Sequence, residues 1–345
     1  MKLVARFRGR YFIYVDDLPL VGHIAFGVID RGTNVLQVRP TTVCPLNCIF
    51  CSVDAGPYSR SRQSEYIVDV DHLLWWVKKV YEFKGGEVDE ALIDGVGDPM
   101  TYGKLPELVL GLKKIVKRVA LETHGVNLTE KNIRALEEAG LDRINLSIDT
   151  LDPEKAKFLQ GCRWYDVRKV ARMAEFIARE TSIDLHITPV WLPGLNDDDI
   201  PKIIEWGLSI GAGKRFPPFG IQKFLKHRHG RKPPGVREVS WSEFWRFLEE
   251  LEKRFGVSLR YPELNKVFGI RRARRIPIKY GVGERVSVKV IAPGWLKNEV
   301  LAVDRDEDVL ITVVGLSFED LRRRVVTVRI DSCKDGIFIA RRCRG

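Results

Sequence analysis

Apolar positions along this chain follow two rhythms, and the change from one to the other marks out the architecture. From Val35 onward, short β-rich runs at residues 35–38, 91–93, 119–121, 143–148, 183–190 and 220–224 read as six strands. Stretches of helical spacing fill the gaps. Residues 71–83 carry Leu73, Leu74, Val77, Val80 and Tyr81 on one face, and residues 107–116, 130–139, 167–180 and 242–255 are similarly patterned. Parallel strands need crossover connections, and right-handed crossovers curl a sheet toward a barrel. The pattern therefore predicts an α/β fold, a partial (βα)6 barrel over residues 35–260. Functional groups are expected at the C-terminal ends of its strands.

The two ends of the chain read differently. Residues 1–34 show short apolar stretches broken by Gly9, Asp16, Asp17 and Gly32, an N-terminal β extension without evident chemistry. Residues 261–278 form a basic linker containing Arg271, Arg272, Arg274 and Arg275. Over residues 279–345, five short strands separated by turns suit a small closed all-β, OB-like barrel.

Composition adds limits. No apolar run approaches the ~18 residues that a membrane helix requires. The start MKLVARFRGRYF lacks the apolar core of a signal peptide, so a cytoplasmic protein is expected, with no membrane partner. Four Gln, eight Asn and three Met beside abundant Arg suit a thermophile. The net charge of +11 is unevenly placed: residues 214–237 hold eight Lys or Arg and no acid, and residues 260–345 hold 19 bases against 11 acids. Clustered cations of this kind point to an anionic partner.

The sharpest chemical statement is TTVCPLNCIFCSVD, with Cys44, Cys48 and Cys51 spaced C-x3-C-x2-C. Three thiols within eight residues favour a metal site over a disulfide framework. Zinc would want a fourth Cys or His close by, and none follows. With three protein ligands, a four-iron cluster keeps one iron open.

This motif, with aromatic Phe50 just before the last cysteine, resembles the signature of the radical SAM superfamily. The resemblance implies a [4Fe-4S] cluster on Cys44, Cys48 and Cys51. S-adenosylmethionine would sit on the open iron and be cleaved reductively to a 5'-deoxyadenosyl radical. An electron donor such as a ferredoxin or flavodoxin is then implied.

The resemblance also assigns the strand ends. Gly95, Gly97 and Asp98 in DGVGDP stand where the family's GGEP-like stretch holds the methionine amino group, with Asp98 in place of Glu. Thr123 and His124 match its T-N-G segment, with His for Asn. Asn145, Ser147 and Asp149 alternate to one side of their strand, where the family contacts ribose and carboxylate. Val190 lies where apolar residues meet adenine. The tail resembles the TRAM module, an RNA-binding barrel, and the whole chain is similar to archaeal radical SAM proteins that carry one. Cys162, Cys333 and Cys343 form no second C-x2-C set, so an auxiliary cluster is not expected; a methyl-carrying role for Cys162 or Cys343 stays open beside inert thiols.

The expected function is a radical SAM enzyme that modifies a nucleoside in tRNA or rRNA, possibly by methylation. Lys223, Lys226, Arg228, Arg231 and Lys232 at the barrel mouth, with Arg271, Arg272, Arg274 and Arg275 in the linker, would hold RNA phosphates. The rival readings are catalysis on a small metabolite or lipid, and an RNA-binding protein with a structural cluster.

Overall fold

A computed structural model describes residues 1–321 and 324–343, apart from the side chains of Tyr261, Pro262 and Asp320. Its centre is a six-stranded sheet in the order Gly27–Asp30, Val35–Arg39, Glu90–Ile93, Arg118–Thr123, Arg143–Leu146, Asp184–Ile187. The first pair is antiparallel and the other four junctions are parallel. Residues 27–30 of the N-terminal stretch therefore belong to the main sheet, pairing Gly27 with Arg39 and Asp30 with Leu36. The preceding hairpin, Lys2–Phe7 with Arg10–Val15, takes Ser64–Val68 as a parallel third strand.

Helices Val70–Phe83, Leu105–Lys113, Glu130–Glu138, Val167–Glu180 and Asp199–Ile210 alternate with the strands. Their ends follow local chemistry. Asp69 accepts from the amides of Asp71 and His72, and Thr129 with Asn132 forms a capping box. Leu73, Val77 and Val80 from one helix, and Ile133 and Leu136 from another, are buried against the sheet.

The sixth predicted strand is only a remnant. Phe219 bridges Ile187, and the two-residue runs Val190–Trp191 and Gln222–Lys223 pair in parallel. Pro189, Pro217 and Pro218 have no N–H to give a continuous ladder, so pairing is limited to a few rungs.

Within the linker span, Tyr261–Phe268 is helical and Gly269 closes it in the left-handed conformation. The chain then crosses the N-terminal edge of the sheet: the Arg271 amide donates to Asn34 Oδ1, and Thr33 bridges Arg272. The tail closes into a five-stranded barrel of Arg285–Pro293, Glu299–Val303, Leu310–Val314, Ile339–Arg342 and Val325–Ser332. Alternation in Arg285–Pro293 and Val325–Ser332 sends Val286, Val288, Val326 and Val328 inward. This small barrel is docked on the large domain. Tyr66 donates to Pro293 O at 2.6 Å, the Gln63 amide to Trp295 O at 3.0 Å, and the Lys297 amide to Ser61 O at 2.8 Å.

Candidate cluster and cosubstrate site

The cysteine loop leaves the C-terminal end of Val35–Arg39 and is packed so closely that side chains are excluded around it. A Cβ on Gly97 would lie 2.4 Å from the carbonyl oxygens of Thr42 and Val43, and one on Gly161 2.2 Å from Asn47 O. Thus Gly97 in DGVGDP is needed for backbone-to-backbone approach. Arg62, fully buried, binds the loop from below: its guanidinium donates to Thr42 O at 2.8 Å, to Val53 O at 3.3 Å, to Val96 O and to the Glu65 carboxylate at 3.0 Å. Its outer face lies 5.1 Å from the Trp295 ring of the small barrel.

Cys44, Cys48 and Cys51 all line one cavity of about 280 Å³ at the strand ends. Among the described residues, no three His, Cys, Asp or Glu side chains converge on a single ion position. The thiols instead stand around a shared space, where each can take a different iron of one cluster. Burial pushes the Cys44 and Cys48 thiols well above their ordinary range, with nearby Asp98 adding to the effect at Cys44 and the other cysteines at Cys48. Such thiols ionise when a cation is there to bind them. Cys51 Sγ also accepts from the Ala55 amide at 3.2 Å. Thiol donors, glycine-lined backbone and shared cavity therefore fit an iron–sulfur cluster.

Of the residues expected around the cosubstrate, Phe50, Gly95, Gly97, Asp98, Thr123, His124, Ser147 and Val190 line this cavity together with the cysteines. Asn145 and Asp149 do not line it. Asn145 Oδ1 accepts from Arg143 at 2.9 Å, deeper in the barrel. Asp149 accepts from the Val190 amide at 2.8 Å and from Gln160 at 2.9 Å, and Gln160 in turn accepts from Cys48 Sγ at 2.7 Å. Its contact with the site runs through Gln160 and the Val190 backbone. The Asp98 carboxylate is also engaged, by Thr123 Oγ1 at 2.8 Å and by the amides of Met100 and His124 at 3.0 and 3.1 Å.

Polar groups on the wall without a hydrogen bond or ion pair among the described residues include His124 Nδ1 and Glu122. His124 Nδ1 is buried and unsatisfied. Glu122 lines the cavity and makes no hydrogen bond or ion pair among the described residues; burial first, then the Asp94 carboxylate, push its carboxyl up to about 7. Sequence reasoning passed over Glu122. The signal was present, because alternation from Thr123 back to Arg118 puts Glu122 on the face opposite Leu121.

The nine cations expected to meet phosphate fall into two groups. Lys226, Arg228 and Lys232 are exposed on the loop after Gln222–Lys223 and have no ion pair or hydrogen bond among the described residues; Phe224, Leu225 and His227 of that loop line the cavity. Lys223 is buried near Trp241 and Glu238. Arg231 is bonded to the cysteine loop. Arg271 pairs with Asp89 at 2.9 Å and Arg275 reaches Arg31 O, both at the N-terminal edge of the sheet, while the side chains of Arg272 and Arg274 there make no hydrogen bond or ion pair among the described residues. The linker arginines therefore occupy the barrel end opposite the cysteine cavity, and only the mouth loop adjoins it.

Residues 38–207 match the family model described as the radical SAM superfamily. An uncharacterized protein of Methanocaldococcus jannaschii is 37% identical, with 98% of this chain and 82% of that protein covered. A protein of Methanococcus maripaludis named probable GTP 3',8-cyclase is 31% identical over 61% of this chain and 67% of its own length. Streptococcus suis SuiB bound to the precursor peptide SuiA superposes with a TM-score of 0.51 at 15% identity, over 68% of this chain and 50% of SuiB, a likeness of fold alone.

Proposed function

Because this chain belongs to the radical SAM superfamily, we propose that it is an enzyme that cleaves S-adenosylmethionine reductively and modifies a nucleoside in tRNA or rRNA. Its cofactors are a [4Fe-4S] cluster and S-adenosylmethionine. When bound, the cluster supplies the electron that breaks the sulfonium bond, drawn from a donor of ferredoxin or flavodoxin type.

The chain's own residues set the stage for that chemistry. Cys44, Cys48 and Cys51 would hold the cluster, and with three protein ligands it would keep a site open for the cosubstrate. Without side chains, Gly95 and Gly97 let their strand end pack against the carbonyls of Thr41, Thr42 and Val43, which seats this backbone in the cavity wall. Phe50, Val190, Phe224 and Leu225 supply apolar wall that keeps water away from a reactive radical. Glu122 and His124 Nδ1 are among the polar groups left open to a substrate, with Ser52, Gln222 and His227 beside them on the wall.

The RNA reading is carried by one observation: Lys226, Arg228 and Lys232 are unpaired on the loop that forms one wall of the cavity. Free cations beside the reacting cavity are suited to phosphates of a chain threaded into it. A second reading, a free nucleotide as substrate, is favoured by the relatives named GTP 3',8-cyclase. Mass profiles of nucleosides in RNA from a deletion strain and its parent separate the two. A modified nucleoside missing from the deletion strain supports RNA. An unchanged profile, with 5'-deoxyadenosine released when S-adenosylmethionine and GTP, without RNA, are added to reduced protein, supports the nucleotide. With Lys226, Arg228 and Lys232 all changed to Ala, the salt dependence of tRNA binding should flatten by about 2 to 3 in log–log slope.

A further inference from the structure

Arg231 sits in the basic mouth loop, yet its donors are spent inward. Nε donates to Asp54 Oδ1 at 2.8 Å, Nη1 to Cys48 O at 2.9 Å and Nη2 to Ala55 O at 2.5 Å, and its amide donates to Cys51 O at 2.8 Å. The side chain is 17% exposed. Next to it, a Cβ on Gly230 would stand 2.9 Å from Ser52 O, so the two segments touch along their backbones. All four of these bonds end on the segment from Cys48 to Ala55, which carries two of the three cluster ligands.

The charge is also oriented. Asp54 meets the Nε side of the guanidinium and is itself held by Ser59, Ser61 and the amides of Arg60 and Ser61. The two Nη groups face the carbonyls of the ligand loop. An arginine fork can satisfy several fixed carbonyls at once, which a lysine point charge cannot.

From this arrangement we infer that Arg231 is a positioning residue for the cluster, a clamp that holds the Cys48–Ala55 loop in its ligand-presenting shape and stabilises the reduced state by its charge. The role stands apart from the RNA proposal and holds whatever the substrate is. Reduction brings one electron and no proton from an external donor, and a fixed positive charge beside the ligand loop favours that added negative charge.

The experiment uses the full chain, reconstituted anaerobically, as wild type, Arg231→Lys, Arg231→Met and Asp54→Asn. Loss of iron to a chelator and the midpoint potential of a dithionite titration followed by electron paramagnetic resonance are the readouts. Arg231→Met should lose iron at least tenfold faster than wild type, and its remaining cluster should be harder to reduce. Arg231→Lys should keep a potential close to wild type while losing iron faster, because charge survives and the fork does not. Asp54→Asn should shift the potential the other way, toward easier reduction, and this arm decides the matter if Arg231→Met does not fold. Wild-type iron retention in Arg231→Met overturns the clamp, and an Asp54→Asn potential that is unchanged or lower overturns the charge effect. If total tRNA binding falls in Arg231→Met while cluster retention and potential stay at wild-type values, Arg231 is a phosphate contact and the inference fails.

Discussion

The two ends of the large barrel use the same kinds of side chain for opposite purposes. At the N-terminal end of the strands, Glu90 accepts from Arg143 at 2.6 Å and from Arg118 at 3.1 Å. The Arg143 guanidinium lies 4.8 Å from the Phe216 ring and 4.7 Å from that of Phe268, and these rings are stacked on each other. A layer higher, Asp94 takes both Arg39 and Gln37. Every charge in this floor has a counterpart. At the C-terminal end, on the same inward strand faces, Glu122 and His124 Nδ1 have no hydrogen bond or ion pair among the described residues. Buried charge is costly unless paired. Pairing throughout the floor gives structure; at the mouth Asp98 is held by three donors while Glu122 has none among the described residues, which leaves that carboxyl open to a ligand.

The contrast breaks most visibly if the mouth is emptied of its thiols. Changing Cys44, Cys48 or Cys51 to Ala should abolish the iron–sulfur absorbance and bring 5'-deoxyadenosine release to background. The unfolding midpoint of the metal-free protein should move little, since these residues bind rather than support. Retention of a four-iron signal in any of the three variants would remove that residue from the ligand set.

The floor should respond in the reverse sense. Glu90→Ala strands two arginines, one of them buried, and should destabilise the metal-free fold by about 3 to 5 kcal/mol in denaturant unfolding. Protein that does fold should still accept a cluster. If Glu90→Ala instead left stability intact and abolished cluster binding, the division of labour between the two ends would be wrong.

Why one end was legible in the sequence and the other less so follows from distance along the chain. Cys44, Cys48 and Cys51 are neighbours, so their spacing carries the chemistry, and the glycines of DGVGDP sit at a strand end that periodicity locates. Five main-sheet strands could be read from local pattern for the same reason. Partners far apart could not. Arg231 looks like its neighbours Arg228 and Lys232 until Asp54, 177 residues earlier, is brought beside it. Arg62 reveals nothing until Val96 and Trp295 close over it. The Ser64–Val68 strand pairs with a hairpin some fifty residues upstream. Charge alone assigns the linker arginines to the same RNA as the mouth loop, although the fold sets them at the opposite end of the barrel.

The subtlest test of the contrast concerns Glu122, whose carboxyl has no partner in the mouth among the described residues. Glu122 is raised from 4.5 to about 7 by burial and by Asp94, so the folded protein holds its proton where the unfolded chain gives it up. Stability from this group is present below about pH 4.5 and is lost as pH rises toward 7 and beyond. At ~1.4 kcal/mol per pH unit, the two values bound the effect at about 3 kcal/mol. Glu122→Gln, which cannot ionise, should therefore match wild type at pH 4 and exceed it at pH 8.5 in thermal unfolding of the metal-free protein. A cationic or N–H-donating substrate that meets Glu122 would reverse this, stabilising wild type over Glu122→Gln at high pH when it is added. If the two proteins instead show the same pH dependence, Glu122 has a partner in the folded chain, and the mouth is as fully paired as the floor.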